Sequence, residues 1–185
     1  MIDRKTPNII IEKMSLEKNK DLHEMVVESS KEWFANGVLP KPEYSFEDVE
    51  EFTKGILETW ENDSFYFFTI LDKTNKQVVG ATFINHVNRQ YKMANMGYQV
   101  RTSRTREGIA SIAAKLVAQY GFEKLGFERL EIVIKKDNIP SQRVAEKIGA
   151  VREGLLRNRL HIDGTVCDAY MYSLIPSDFG ITNTA

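Results

Sequence analysis

The chain contains a single cysteine and lacks several features that mark whole classes of protein. Cys167 can form neither an internal disulfide nor a C-x-x-C site, which favours a reducing compartment. No apolar run approaches the length of a membrane span, and the isoleucines at 9–11 are too few for the core of a signal peptide. We therefore expect a cytoplasmic protein with no membrane partner.

The charge balance and the absence of common motifs restrict the function further. The formal net charge is -1, so the chain as a whole does not attract nucleic acid. Neither G-x-x-x-x-G-K-[ST] nor G-x-G-x-x-G occurs, which argues against the usual nucleoside triphosphate and dinucleotide sites. His23 and Glu24 begin like a zinc-binding helix, but the second histidine is missing and we expect no metal.

Apolar periodicity predicts the order of the secondary structure. With 185 residues and 42% apolar content, we expect a single domain over residues 1–185. Strands are predicted at 8–13, 64–72, 77–84, 93–101, 129–135, 151–156 and 167–174, and helices at 17–34, 46–60, 108–125 and 141–148. The order β-α-α-β-β-β-α-β-α-β-β combines hairpins with crossover connections. It predicts an α/β sandwich built around one mixed sheet.

The turn after the strand at 93–101 has the composition of an anion site. Gly108 and Ala110 are small where a helix begins, so the amides of about 106–110 can approach a phosphate closely. The helix dipole adds attraction. Arg101, Arg104 and Arg106 add positive charge. Taken alone, this pattern equally suits a basic helix N-terminus without a ligand.

A second motif changes the interpretation of this turn. Residues 137–149 read DNIPSQRVAEKIG, which closely resembles the DN-x-x-S-x-R-V-x-E-K-x-G-F signature of the GNAT acetyltransferase superfamily. Together with the pattern GYQVR at 97–101, the motif is similar to the ribosomal-protein N-acetyltransferase (RimJ/RimL-type) branch. The resemblance extends over residues 78–175 and is loose before them. It implies the three-layer GNAT acyl-CoA N-acyltransferase fold and acetyl-CoA as the cosubstrate, without a metal.

The resemblance also implies where the coenzyme binds. A V-shaped gap is expected between the strands that end near Arg101 and start near Arg129. The pantetheine arm would follow the main chain of Val100, Arg101 and Thr102, and Asn138 would contact its amides. The amides that would hold the pyrophosphate belong to Thr105, Arg106, Glu107, Gly108, Ile109 and Ala110. Arg143 would reach the coenzyme or merely lie on the surface of its helix.

The turn departs from the family pattern in two places. Thr105 stands where the family has Gln or Arg, and Arg106 with Glu107 stands where a second glycine and a basic residue are common. A carboxylate at Glu107 disfavours a nearby pyrophosphate unless it points to solvent. These departures put the affinity for the coenzyme in question.

The implied reaction is direct attack of a neutral amine on the acetyl thioester. Ser141 would lie near the sulfur and serve as the acid for the departing thiolate, although the residue also suits a helix N-cap. Glu131 is a candidate base, but its alternation with Leu130 and Ile132 favours a strand residue that holds the sheet. Tyr98 would line the path of the acceptor or belong to the core. Asn138 also suits an ordinary turn.

The acceptor is less visible in the sequence than the coenzyme. An α-amine with a pKa near 8 costs about 1.4 kcal/mol to deprotonate at pH 7, against about 4.6 for a lysine-type amine, which favours a protein N-terminus. The acidic residues at 43–51 leave a polyamine or aminoglycoside as an alternative. A coenzyme A-binding module without catalysis is the third hypothesis. We expect residues 1–60 to form the acceptor wall, in a monomer or a homodimer.

Overall fold

The computed structural model describes residues 7–182, in which seven strands form one mixed sheet. The strands are β1 (Ile9–Lys13), β2 (Tyr66–Asp72), β3 (Val78–Asn88), β4 (Met93–Val100), β5 (Arg129–Lys135), β6 (Val151–Ile162) and β7 (Thr165–Leu174). The helices are α1 (Asn19–Ala35), α2 (Phe46–Glu61), α3 (Ile109–Glu123) and α4 (Ile139–Lys147). Short 3-10 helices lie at Leu16–Lys18, Thr102–Arg104 and Pro176–Phe179. The predicted order of strands and α-helices is confirmed.

The expectation that the chain has no signal peptide rests partly on its first six residues, which lie outside the described residues. Within residues 7–182, no helix combines the length and the apolar character needed to cross a bilayer.

The helices cover the sheet on both faces and so produce three layers. On one face, α1 and α2 bury Leu22, Met25, Trp33 and Ile56 against strand residues such as Phe67. On the other face, α3 and α4 pack their small and apolar residues on the sheet, among them Ala114, Val117, Ala118, Ala145 and Ile148. Small side chains on α3 let that helix approach the strands closely, which explains the run of alanines. The predicted α/β sandwich is confirmed.

The local signals at the ends of several elements also have their expected structures. Ser45 and Asp48 form a reciprocal capping box at the start of α2. Gly126 after α3 and Gly149 after α4 adopt φ values of +71° and +94°, which glycine tolerates better than other residues. Asp163 and Gly164 both have positive φ in the turn between β6 and β7, as a two-residue hairpin of type I′ requires.

The sheet contains one parallel pair of strands, and this pair separates soon after it begins. The strand order is β1-β2-β3-β4-β5-β7-β6, and every pair of neighbours except β4 and β5 is antiparallel. The register of β4 and β5 runs only from Met93 opposite Arg129 to Asn95 opposite Glu131. Beyond these residues the strands diverge. We call the gap between 96–100 of β4 and 132–135 of β5 the fork.

The largest difference from the predicted elements concerns β6. The strand continues to Ile162, six residues beyond the predicted end at 156. Most of its side chains are exposed, because β6 is an edge strand of the sheet. Burial is what produces an alternating apolar pattern, so the outer part of β6 carries none. The helix predicted at 141–148 begins two residues earlier, at Ile139.

A glycine on β3 tests how tightly the strands beside the fork are packed. A Cβ on Gly80 would lie 2.5 Å from the carbonyl oxygen of Gln99 and 3.0 Å from Cδ1 of Ile70. Because main chain cannot move aside cheaply, we expect Gly80→Ala to lower the free energy of unfolding by about 1–3 kcal/mol in urea denaturation. Gly55 lies in α2 with no neighbour within 4 Å of a built Cβ. Gly55→Ala should therefore raise stability by roughly 0.5–1 kcal/mol, and equal effects of both substitutions would contradict this packing.

Candidate active site

The main chain of β4 presents unpaired groups to the fork. The amide of Arg101 donates to the carbonyl oxygen of Val79 at 2.9 Å. Because main-chain groups alternate along a strand, those of Gln99 and Arg101 turn toward β3, and those of Tyr98 and Val100 turn toward the fork. No strand of the described chain pairs with this edge of β4 beyond Asn95. A ligand with amide groups can satisfy these donors and acceptors by adding to the edge.

Of the three residues expected along the pantetheine arm, Val100 has this orientation, whereas the amides of the next two are already bonded. The Arg101 amide bonds to β3, and the Thr102 amide donates to Oγ of Ser29 at 3.0 Å. The Arg101 side chain is 5% exposed and lies against α1, not in the fork. The coenzyme contacts expected of Arg101 and Thr102 stay a prediction, although their amides already have partners, and Tyr98 joins Val100 on the fork side.

The turn before α3 has the conformation of an anion-binding loop. Arg106 and Gly108 have φ values of +66° and +87°, on either side of Glu107. Left-handed residues at such a turn direct successive amides into a shared concavity. No side chain caps the first turn of α3, so the amides of Ile109 and Ala110 are not occupied in that way. Thr105 bonds locally, its hydroxyl donating to the Thr102 carbonyl at 3.0 Å.

Ion pairs change the charge expected at this turn. Nε of Arg104 lies 2.8 Å from Oε1 of Glu107, and Nη2 of Arg104 lies 3.0 Å from Oδ2 of Asp72. The Glu107 carboxylate is thus bonded to Arg104 within the turn, although Arg104 is shared with Asp72 and the three groups together remain negative. Arg101 is balanced in turn by Asp21 and Glu28. The positive charge expected from Arg101 and Arg104 is thus paired with carboxylates in the structure.

A lysine that the sequence analysis did not select brings positive charge to the same turn. Nζ of Lys147, at the end of α4, lies 3.8 Å from the position that a Cβ on Gly108 would occupy. Among residues 7–182, no ion pair involves Lys147. An ammonium beside the positive end of α3 is favourable when an anion lies between them. Lys147 belongs to the motif at 137–149. Its proximity to Gly108 is a contact between distant parts of the chain, which the motif does not report.

Tyr98 and Ser141 meet across the fork on the face covered by α3 and α4. The Tyr98 hydroxyl donates to the Ser141 carbonyl at 2.8 Å, and Oγ of Ser141 donates to the Tyr98 oxygen at 3.3 Å. Burial raises the pKa of Tyr98, so its phenol stays protonated at neutral pH. Two candidates separated by 43 positions therefore form one hydrogen-bonded pair. This pair can hold and deliver a proton beside the fork.

The other predicted residues of α4 occupy simpler positions. Asn138 is the N-cap of the helix, and its Oδ1 accepts from the Ser141 amide at 3.2 Å. The N-cap alternative considered for Ser141 is thus wrong, because Asn138 has that role. Arg143 is exposed on α4. Its contact with the coenzyme stays a prediction.

Glu131 lies away from the Tyr98–Ser141 pair, at the closed end of the fork. Oε1 of Glu131 lies 2.9 Å from Nε of Arg129, whose guanidinium also binds Glu153. The hydroxyl of Ser173 donates to Glu153 at 2.7 Å, and the bonds from Arg129 and Ser173 lower the pKa of Glu153 to about 2. The network joins three strands. It favours the sheet-holding interpretation of Glu131 over that of a general base.

An open cavity of about 270 Å³ lies beside the end of β5. Its lining consists of Phe34, Gly37, Val38, Leu39, Pro40, His161, Ile162 and Asp163. It borders the mouth of the fork, because Nζ of Lys135, the last residue of β5, donates to the Ala35 carbonyl at the end of α1 at 3.2 Å. The lining combines apolar side chains such as Phe34, Leu39 and Ile162 with polar groups, among them one carboxylate. Residues 34–40 of this lining belong to the segment 1–60 that was expected to form the acceptor wall, whereas residues 161–163 of the β6–β7 hairpin do not.

The acidic run at 43–51 belongs to the start of α2. Asp48 accepts from the Ser45 amide and from Lys41, and these bonds lower the pKa of Asp48. Acidic residues at a helix N-terminus are favourable for the helix alone. No cluster of three or more metal-binding side chains occurs in the part of the chain that the structure describes.

Comparison with known proteins agrees with this geometry. The family described as the acetyltransferase (GNAT) domain matches residues 8–151. The N-acetyltransferase p20 of Bacillus licheniformis is 30% identical over 112 residues, which are 60% of this chain and 63% of that protein. A spermidine N(1)-acetyltransferase of Escherichia coli is 32% identical over 81 residues, 44% of this chain and 42% of that one. The chain spans between 58% and 63% of the length of the first curated relatives it matches.

Solved structures have the same fold. The ribosomal-protein-S5-alanine acetyltransferase of Vibrio fischeri superimposes with a TM-score of 0.82 at 17% identity, over 91% of this chain and 93% of that one. At this identity the likeness concerns the fold and not the acceptor.

The position of Lys147 leads to a binding prediction. If the anion at the turn is a coenzyme phosphate, Lys147→Gln should weaken coenzyme A about tenfold in calorimetry, since a hydrogen bond to a charged group is lost. The loss should shrink at high salt. Lys115→Gln, a change of an exposed lysine on α3, is the matched control and should leave the affinity unchanged. Equal affinities for both variants would exclude Lys147 from the phosphate site.

Proposed function

Because the chain belongs to the GNAT acetyltransferase family, we propose that it transfers an acetyl group from acetyl-CoA to a primary amine. The observation that carries the proposal is the fork, where an open strand edge, a turn with left-handed residues and a pair of hydroxyl groups lie near one another. The unpaired edge of β4 at Val100 suits the pantetheine amides, and the turn at 106–110 with Lys147 suits the phosphates. The Tyr98–Ser141 pair suits the sulfur.

The residues of the fork have mainly to position the two substrates and to move one proton. The amine attacks the thioester carbonyl, the carbon–sulfur bond breaks, and the thiolate takes up a proton. Ser141 gives that proton from Oγ, and Tyr98 returns one to Oγ once its phenol turns from the Ser141 carbonyl, to which it donates here, toward the Ser141 hydroxyl. The attacking amine releases one proton to solvent, and a proton from solvent restores the Tyr98 phenol. The balance needs no further reactant.

We further propose that the acceptor is the α-amine of a protein or peptide. The cavity at the mouth of the fork is lined by Phe34, Leu39 and Ile162, with Asp163 as its one carboxylate. Such a lining suits an apolar N-terminal residue, whereas a polyamine with several charges needs several carboxylates. An α-amine also needs little help from a base. This fits a fork in which Glu131 is held by Arg129.

The second candidate is a polyamine acetyltransferase, which the spermidine acetyltransferase relative favours. The acidic run supports it less than the sequence suggested, because Asp48 caps α2 and pairs with Lys41. A coenzyme-binding module without catalysis also loses support, since the Glu107 carboxylate is bonded to Arg104 within the turn. We propose that residues 1–185 form one such domain, acting in the cytoplasm as a monomer or a homodimer.

The acceptor class is tested by acetyl transfer to a panel of amines, detected by mass spectrometry. We expect a peptide with a free N-terminus and an apolar first residue to gain one acetyl group. The same peptide with a blocked N-terminus and an internal lysine should gain none. Spermidine and an aminoglycoside should react much more slowly. Transfer to spermidine alone would contradict the peptide proposal, and absence of acetyl-CoA binding would contradict the transferase proposal itself.

The proton route is tested by removing each hydroxyl. We expect Ser141→Ala and Tyr98→Phe each to lower kcat by about 10–100-fold, because general acid catalysis is lost. The dissociation constant of coenzyme A should change little. Tyr120→Phe is the matched control, since Tyr120 is half-buried on α3 and packs against Phe68. A kcat equal to that of the unaltered protein in both site variants would exclude this pair from proton transfer.

A further inference from the structure

Side chains of α1 hold the start of the turn that leads from β4 to α3. The amide of Thr102 donates to Oγ of Ser29 at 3.0 Å, and the amide of Ser103 donates to Oε1 of Glu28 at 2.8 Å. These two amides open the 3-10 helix Thr102–Arg104, where no partner within that helix exists for them. Ser29 is 1% exposed, so its bond is shielded from water.

The Glu28 carboxylate on this contact also lies beside a guanidinium. Oε2 of Glu28 lies 3.3 Å from Nε of Arg101, whose side chain is buried between β4 and α1. Asp21, two turns earlier on α1, lies 3.9 Å from the same guanidinium. Glu28 therefore accepts from Ser103 while it is paired with a guanidinium that it shares with Asp21.

The same helix reaches the other arm of the fork. Its last residue, Ala35, accepts a hydrogen bond from Lys135 at the end of β5. Phe34 and the following loop line the cavity at the fork mouth. The 17-residue helix α1 is thus hydrogen-bonded both to the turn between β4 and α3 and to the end of β5.

We propose that Ser29 and Glu28 are positioning residues that fix the 102–108 turn for the coenzyme phosphates. The inference rests on the proposed function, because it assumes that these phosphates bind at the turn. Neither side chain needs to touch the coenzyme. Their hydrogen bonds orient the 3-10 helix, and the helix orients the amides at 106–110. Loss of the Ser29 hydroxyl leaves the Thr102 amide without its acceptor and lets the turn move.

The test compares two serines that are neighbours on α1. Ser29→Ala removes the acceptor of the Thr102 amide, whereas Ser30→Ala removes a hydroxyl that bonds within its own helix, to the Val27 carbonyl. Coenzyme A binding is measured by calorimetry, and the KM values of acetyl-CoA and of the amine acceptor are measured separately. Exchange of the Thr102 and Ser103 amides with deuterium, followed by NMR, reports the turn directly.

We expect Ser29→Ala to raise the dissociation constant of coenzyme A and the KM of acetyl-CoA about fivefold, with kcat and the acceptor KM changed less than about twofold. The amide of Thr102 should exchange faster, and Ser30→Ala should behave like the unaltered protein. Unchanged coenzyme affinity, or an equal rise of both KM values, would overturn the positioning role. Failure of the unaltered protein to bind coenzyme A would instead overturn the proposed function, so the two failures are distinguishable.

Discussion

The separation of β4 from β5 is the constraint on which the rest of this structure depends. The two strands are parallel neighbours over 93–95 and 129–131, and each then follows its antiparallel partner, β3 or β7. Their facing edges are left with main-chain groups that need partners. The connection between parallel strands must cross over through a helix. That requirement places the start of α3 after the end of β4, so an open strand edge and an uncapped helix N-terminus lie next to each other.

A gap in the middle of a sheet needs contacts that hold its two sides at a fixed distance. On the face of α3 and α4, Tyr98 reaches from β4 to Ser141. On the opposite face, α1 is bonded to the turn after β4 and, through Lys135, to the end of β5. The groups that we propose to act on the thioester and to orient the phosphate turn therefore also connect the elements on either side of the fork.

Local patterns predicted most of the fold, and distant contacts account for what they missed. Ser45 and Asp48, the alternation in β5 and the apolar stripe of α3 are each readable within a few residues. The motif at 137–149 likewise indicated the coenzyme. The partners of Arg101 lie on α1, about 70 to 80 positions earlier in the chain, and no short pattern reports them. The same holds for Lys147 beside Gly108. The outer part of β6 was missed because an exposed edge strand needs no apolar alternation.

The most direct test of this account is an NMR titration of the protein with coenzyme A, observed at the backbone amides. The account predicts that the amides of Tyr98, Val100 and residues 106–110 shift and become protected from solvent exchange. The Arg101 amide, which already bonds to Val79, should keep its protection unchanged. Shifts confined to other surfaces, or a response at Arg101 with none at Val100, would show that the fork is not where the coenzyme binds.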